Sequence, residues 1–93
     1  MYRSPKFLRN NSISQISNST EKIKKGSAFF AISGANVDGN NFIPEAIKKG
    51  ARIIVSSKKS SLRKVKNNKI IKIYSKNIRR FYSEECSRIF EYP

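Results

Sequence analysis

Apolar residues fall in short runs separated by polar, glycine-bearing segments. Ala28-Phe29-Phe30-Ala31-Ile32-Ser33 is almost continuously apolar and is flanked by Gly26 and Gly34. A run this short, bounded by glycines, reads as a strand buried on both faces rather than as a helix. Ala51-Arg52-Ile53-Ile54-Val55-Ser56 and Ile70-Ile71-Lys72-Ile73-Tyr74 repeat the pattern. Ile13 and Ile16, set among Ser and Asn, predict a short edge strand. Phe7-Leu8 is the one apolar pair of Tyr2 to Asn11 and is compatible with a single helical turn.

Helical spacing appears twice. Phe42, Ile43, Ala46 and Ile47 form one stripe. Asn40 or Asn41 is placed to cap that helix, and Pro44 and Glu45 suit its first turn. Lys48 and Lys49 suit its last turn, with Gly50 as the stop. A second helix is expected to open at Ser75 or Lys76, with Ile78, Tyr82, Cys86 and Ile89 on one face and Phe81 and Phe90 beside them. Glu84 and Glu85, being adjacent, point to different sides of it. Strands alternating with helices predict an α/β fold: one small domain over residues 1–93, a mainly parallel sheet of four to five short strands with room for a mixed pairing, and two main helices.

Length and charge narrow the chemistry. A chain of 93 residues hides only about 60–65% of its unfolded surface, leaving no room for separate cofactor and substrate domains. Twenty Lys and Arg against six Asp and Glu give a net charge of +14, which attracts polyanions. The densest basic stretch, Ser57 to Lys69, is expected to be a loop. It reads either as a solvated surface or as a polyanion-binding tract, and it lacks the interleaved aromatics that stack bases. Contact with nucleic acid is therefore expected to be non-specific. Met1 to Thr20 carries Arg3, Lys6 and Arg9 and no acid, a composition shared by organellar presequences and by ordinary basic termini. With no His and the single Cys86, neither a His/Cys metal cluster, an internal disulfide nor a Ser-His-Asp triad can form. No apolar run approaches the roughly 20 residues of a membrane span, and a lone cysteine, more plausibly an inert thiol on the helix face, suits a cytoplasmic protein.

Gly34 to Gly39 is the most suggestive local feature. It follows a strand and precedes a helix, with glycines at the spacing of the first half of a phosphate-binding loop. The Lys-Ser/Thr that such a loop needs for terminal phosphates and magnesium is replaced by Asn40-Asn41. Two readings remain: a turn whose glycines supply positive φ, with no ligand, or a set of backbone amides that grip a ligand's oxygens without metal. Asp38 likewise reads either as a ligand contact or as the residue that orders the turn.

Three stretches together resemble a known family: Ile16-Ser17-Asn18-Ser19-Thr20, then Ile23-Lys24-Lys25-Gly26-Ser27-Ala28-Phe29-Phe30-Ala31-Ile32-Ser33-Gly34, then Val37-Asp38-Gly39-Asn40-Asn41-Phe42-Ile43-Pro44-Glu45-Ala46-Ile47-Lys48-Lys49-Gly50-Ala51. They are similar to the N-terminal domain of the Mur ligases, nearest to the branch that adds the third amino acid, usually meso-diaminopimelate, to UDP-N-acetylmuramoyl-L-alanyl-D-glutamate. Asn18-Ser19-Thr20 stands where that family usually has Asp-Ser-Arg. The resemblance implies a domain that holds the uridine diphosphate end of a UDP-N-acetylmuramoyl-peptide. Ser17 and Ser19 would contribute from the Ser-containing turn, and Ala35, Asn36 and Val37 from the loop before Asp38. It implies no catalytic residue and no metal ligand in this chain. ATP and magnesium are expected only in a full-length ligase, whose central ATP-binding and C-terminal domains would be the missing partners. The alternatives are a small basic nucleic-acid-binding protein and a nonfunctional truncated remnant.

Overall fold

The computed structural model describes residues 15–34 and 37–90. The expected turn at Phe7-Leu8, the basic positions Arg3, Lys6 and Arg9, and Ile13 lie outside them. Four strands form a single sheet: β1 (Ile16–Ser17), β2 (Ala28–Ala31), β3 (Ile53–Ser56) and β4 (Ile71–Tyr74), in spatial order β1-β2-β3-β4. All three pairings are parallel, with Ile16 beside Ala28, Ala28 beside Ile53, and Ile53 beside Ile71. Every residue of β2 and β3 is buried. That is what a parallel sheet covered on both faces demands, and it explains why these segments show unbroken apolar runs rather than alternation.

Three helices cover the sheet: α1 (Ile43–Lys48), α2 (Lys59–Arg63) and α3 (Ile78–Phe90). One face of the sheet presents Phe29, Ala31 and Ile54 to Ile43 and Ala46 of α1 and to Leu62 of α2, with Ile23 and Val65 closing the ends. The other presents Ala28, Phe30, Ile53, Val55 and Ile73 to Ile78 and Phe81 of α3. Thus the connections β1–β2, β2–β3 and β3–β4 all place apolar residues on one side, as crossovers of constant hand require, and α3 takes the opposite side. Phe30 meets Phe81 and Tyr82 with ring centroids 5.3 and 5.0 Å apart, tilted as aromatic pairs prefer. Burying a Phe side chain is worth about 1.5–3 kcal/mol, so Phe29 and Phe30, one on each face, anchor both halves of this small core.

Several expectations need correction. The basic stretch Ser57 to Lys69 is not all loop: Lys59–Arg63 is α2, seated by the fully buried Leu62. The last helix begins at Ile78, later than Ser75 or Lys76. Its buried face runs through Ile78, Phe81 and Glu85, with Tyr82 and Cys86 only half-buried. Glu84 is exposed and pairs with Arg80 at 3.2 Å, whereas Glu85 turns inward and is buried, so the adjacent carboxylates do part.

Positive φ occurs at Gly26 (87°) and Gly50 (114°) rather than at Gly34 or Gly39. Gly50 ends α1 in the left-handed conformation that suits glycine after a helix, and its carbonyl accepts from Gly26 N–H at 2.8 Å. A Cβ on Gly50 would also lie 2.9 Å from Lys25 Cα. Helix end and strand entry are therefore clasped by two glycines.

Candidate ligand hollow at the strand ends

In open α/β sheets ligands bind outside the carboxyl ends of the strands. This sheet, in the order β1-β2-β3-β4, has no reversal of strand order among the described residues, so the hollow here is made by the loops themselves. Here the chain leaving β1 turns through Asn18, Ser19 and Thr20, and the chain leaving β2 runs from Ile32 towards Gly39. A hollow of about 430 Å³ opens between them. Ser19 and its neighbours form one side, Ile32, Gly34, Val37, Gly39 and Phe42 the other, and Arg79 reaches in from the first turn of α3. Val37 (55% exposed) and Phe42 (39%) are the large apolar side chains left facing water among the described residues. Both border this hollow, where a planar ligand group would cover them.

The serine turn is built by its own hydroxyls. Ser17 is buried; its Oγ donates to Ser19 O at 2.9 Å and accepts from Ser19 N–H at 2.9 Å. Ser19 Oγ accepts from Glu21 N–H at 3.3 Å and caps the 3-10 turn Thr20–Lys22. Asn18 Oδ1 lies 3.5 Å from Tyr82 Oη, tying the turn to α3. Burial, and then the neighbouring Cys86 side chain, push the Tyr82 phenol up to about 12.

The opposite wall is the segment Asp38 to Phe42. Asp38, not Asn40 or Asn41, caps it: its carboxylate accepts from Asn40 N–H at 2.9 Å at the start of the 3-10 turn Gly39–Phe42 that feeds α1. The same carboxylate accepts from Ser33 Oγ at 2.9 Å and Asn40 Nδ2 at 2.8 Å, and pairs with Lys58 Nζ at 2.7 Å. Lys58 first, then these hydrogen bonds, hold its carboxyl well below the usual carboxylate range. The turn-ordering reading of Asp38 is thus the observed one. Gly39 N–H donates to Ile32 O at 3.0 Å, and a Cβ on Gly39 would lie 2.5 Å from that oxygen. Close approach of backbone to backbone, not positive φ, requires glycine here.

Beyond the same wall lies a larger hollow of about 550 Å³. Its lining includes Asp38, Asn40 and Asn41, the apolar Ile43 and Ile47, and three lysines: Lys58, Lys64 and Lys66. Ser56, at the end of β3, donates from its Oγ to Asn40 Oδ1, so the wall is pinned to the sheet on this side too.

Of the residues expected to touch a ligand, Ser19 and Val37 line the smaller hollow together. Ser17 lies behind the turn, with its hydroxyl proton committed to Ser19 O. Ala35 and Asn36 lie outside the described residues. The structure adds Phe42 and Arg79. Phe42 could be read from sequence only as part of the α1 stripe, and Arg79 carried no local signal, because α3 reaches the hollow by tertiary packing alone. Among the described residues of the glycine loop, the Gly34, Gly39, Asn40 and Asn41 N–H groups donate to Val37 O, Ile32 O, Asp38 Oδ1 and Asp38 O, so these four are not open to a ligand. With those amides committed and no Lys-Ser/Thr pair following, the loop does not fit a nucleoside triphosphate. Among the described residues no group of three or more His, Cys, Asp or Glu could hold a metal ion, and no helix is long and apolar enough to cross a membrane.

A UDP-N-acetylmuramoyl-L-alanyl-D-glutamate--2,6-diaminopimelate ligase of Fusobacterium nucleatum is 36% identical over 74 residues, covering 80% of this chain and 14% of that protein. The protein of the same name from Rickettsia prowazekii is 35% identical over 60 residues, 64% of this chain and 12% of its own length. Among solved structures, the MurF ligase of Thermotoga maritima in complex with ADP superposes with a TM-score of 0.56 at 24% identity, over 80% of this chain and 17% of that one, a likeness of fold. The chain thus spans about one seventh or less of the curated relatives named here. A model described as the catalytic domain of the Mur ligase family matches residues 12–89, and the chain belongs to the Mur ligase family.

Proposed function

We propose that this chain is the part of a peptidoglycan-precursor ligase that binds the uridine diphosphate end of a UDP-N-acetylmuramoyl-peptide, and that it performs no bond-forming step by itself. The observation that carries the reading is the hollow beside Ser19, at the carboxyl ends of β1 and β2. Its exposed Val37 and Phe42 suit the face of a base, and its polar rim at Asn18, Ser19 and Thr20 suits the hydrogen-bonding edge of a uracil. The names of the relatives supply the substrate class. ATP and magnesium act, in this reading, at parts of a ligase other than residues 1–93.

Titration of the 93-residue chain with UDP, followed by calorimetry and by amide chemical shifts, tests it. Saturable binding is expected, with shifts concentrated at Ser19, Thr20, Val37 and Phe42. Val37→Glu, which replaces an apolar wall of the base site with a carboxylate and adds a negative charge to a hollow that takes an anionic ligand, is expected to weaken it at least tenfold, on the order of 1.4 kcal/mol. No heat and no shift up to millimolar UDP would overturn the reading.

A further inference from the structure

The uridine diphosphate reading leaves open what neutralises the ligand's charge. The backbone amides of Gly34, Gly39, Asn40 and Asn41 are committed to the protein. Ser17 has spent its hydroxyl proton on Ser19 O. Lys58, the lysine nearest the shared wall, is paired with Asp38 at 2.7 Å on the far side of it. Among the described residues lining the hollow, Glu21 carries the only negative charge and Arg79 the only positive one.

Arg79 is held in place from the protein side. It stands in the first turn of α3, on the sheet face opposite α1, and its Nη2 donates to the carbonyl of Ser33, the residue that leads from β2 into the loop. Among the described residues that carbonyl is its hydrogen-bond partner. A guanidinium has five N–H donors in a rigid planar fork, so one bond to a carbonyl orients the group while leaving donors for a phosphate. The same bond ties the mouth of the loop to α3.

We propose that Arg79 is the specificity-determining residue of this hollow, its Ser33-anchored guanidinium binding the diphosphate and so making the site select a nucleoside diphosphate over the bare nucleoside. The inference rests on the uridine diphosphate reading but names a residue that reading does not need.

Calorimetric titration of the chain and of Arg79→Gln and Arg79→Lys with UDP and with uridine tests it. The unaltered chain is expected to favour UDP over uridine by roughly tenfold or more, the effect of a charge-assisted hydrogen bond. Arg79→Gln is expected to bring the two ligands within about threefold of each other while uridine affinity holds, the polar contact being worth less without its charge. Arg79→Lys is expected to recover part of the preference, since it restores charge without the planar fork. An undiminished UDP preference in Arg79→Gln overturns the proposal. Equal loss of both ligands in Arg79→Gln also overturns it, because it marks Arg79 as a brace for the Ser33 loop only. Binding of neither ligand by the unaltered chain overturns the uridine diphosphate reading itself, and this proposal with it.

Discussion

The hollow beside Ser19 and the hollow beside Lys58 share one wall, Asp38 to Phe42, yet they are built on different principles. The first lies where β1 and β2 end, has exposed Val37 and Phe42 on its rim, and carries, among the described residues, one cation, Arg79, clamped to Ser33. The second is larger and ringed by Lys58, Lys64 and Lys66. Lysine is a flexible point charge with about 2 kcal/mol of rotamer entropy to lose, so three of them attract an anion without fixing its orientation. The net charge of +14 points to the second hollow; fixed geometry points to the first. Charge density and a built site are separate properties here.

The comparison breaks most completely at the shared wall. Gly39→Ala must push a methyl into the Ile32 backbone, 2.5 Å from its oxygen, and should cost about 2–4 kcal/mol while distorting both hollows at once. Thermal or urea unfolding checks the stability, and UDP titration checks the site. Gly50→Ala is the contrasting control. Its strain, a positive φ of 114° and a contact with Lys25 Cα, sits away from both hollows. It should cost about 1–3 kcal/mol with UDP affinity kept in the fraction that remains folded.

Asp38→Asn sharpens the comparison, since it loosens the wall from the lysine side. Asparagine keeps an oxygen that can cap the turn, so the loss is that of the charge facing the half-exposed Lys58 and should cost about 0.5–1 kcal/mol at pH 7. The sign with pH follows from the depressed carboxyl. A group whose folded pKa lies below its unfolded value contributes stability that is present above the unfolded value and is lost as pH falls towards the folded one. The gap between the unaltered chain and Asp38→Asn should therefore be full above about pH 5 and should narrow steadily below pH 4. A gap that is flat from pH 3 to pH 7 would show that the carboxylate's charge contributes nothing.

The smallest effect is expected from Lys64→Gln with Lys66→Gln, which spares the Lys58–Asp38 pair. Binding to a DNA duplex should lose about 1–2 units of log–log salt slope, with UDP affinity and melting temperature unchanged. A matching loss of UDP affinity would mean that the two hollows act as one.

Legibility tracked how local each cause was. β2 and β3 are legible because parallel strands covered on both faces are continuously apolar, β1 and β4 only as shorter pieces with polar residues in them, and α1 because Pro44, Glu45 and Gly50 mark a helix by rules that act within one turn. On α3 the expected Ile78 and Phe81 are buried and Tyr82 packs against them, while Glu85, which breaks the apolar pattern, takes the place on the buried face that the spacing gives to Cys86. The Ser17–Ser19 turn and the Asp38 loop were legible as special places, but the roles within them were not. Whether Ser17 faces a ligand or braces Ser19, and whether Gly39 is needed for φ or for closeness to Ile32, depends on what stands opposite.

The order of the strands, α1 and α3, and the burial of β2 and β3 on both faces, are written in the chain alone, since periodicity and turn chemistry act over a few residues. Folding alone decided that Arg79, 46 residues from Ser33 along the chain, ends on its carbonyl, and that Asp38 is claimed by Lys58 rather than left for a ligand. Such contacts depend on how α3 and the β3–α2 connection pack around the strand ends, a distance in space that no spacing in sequence encodes.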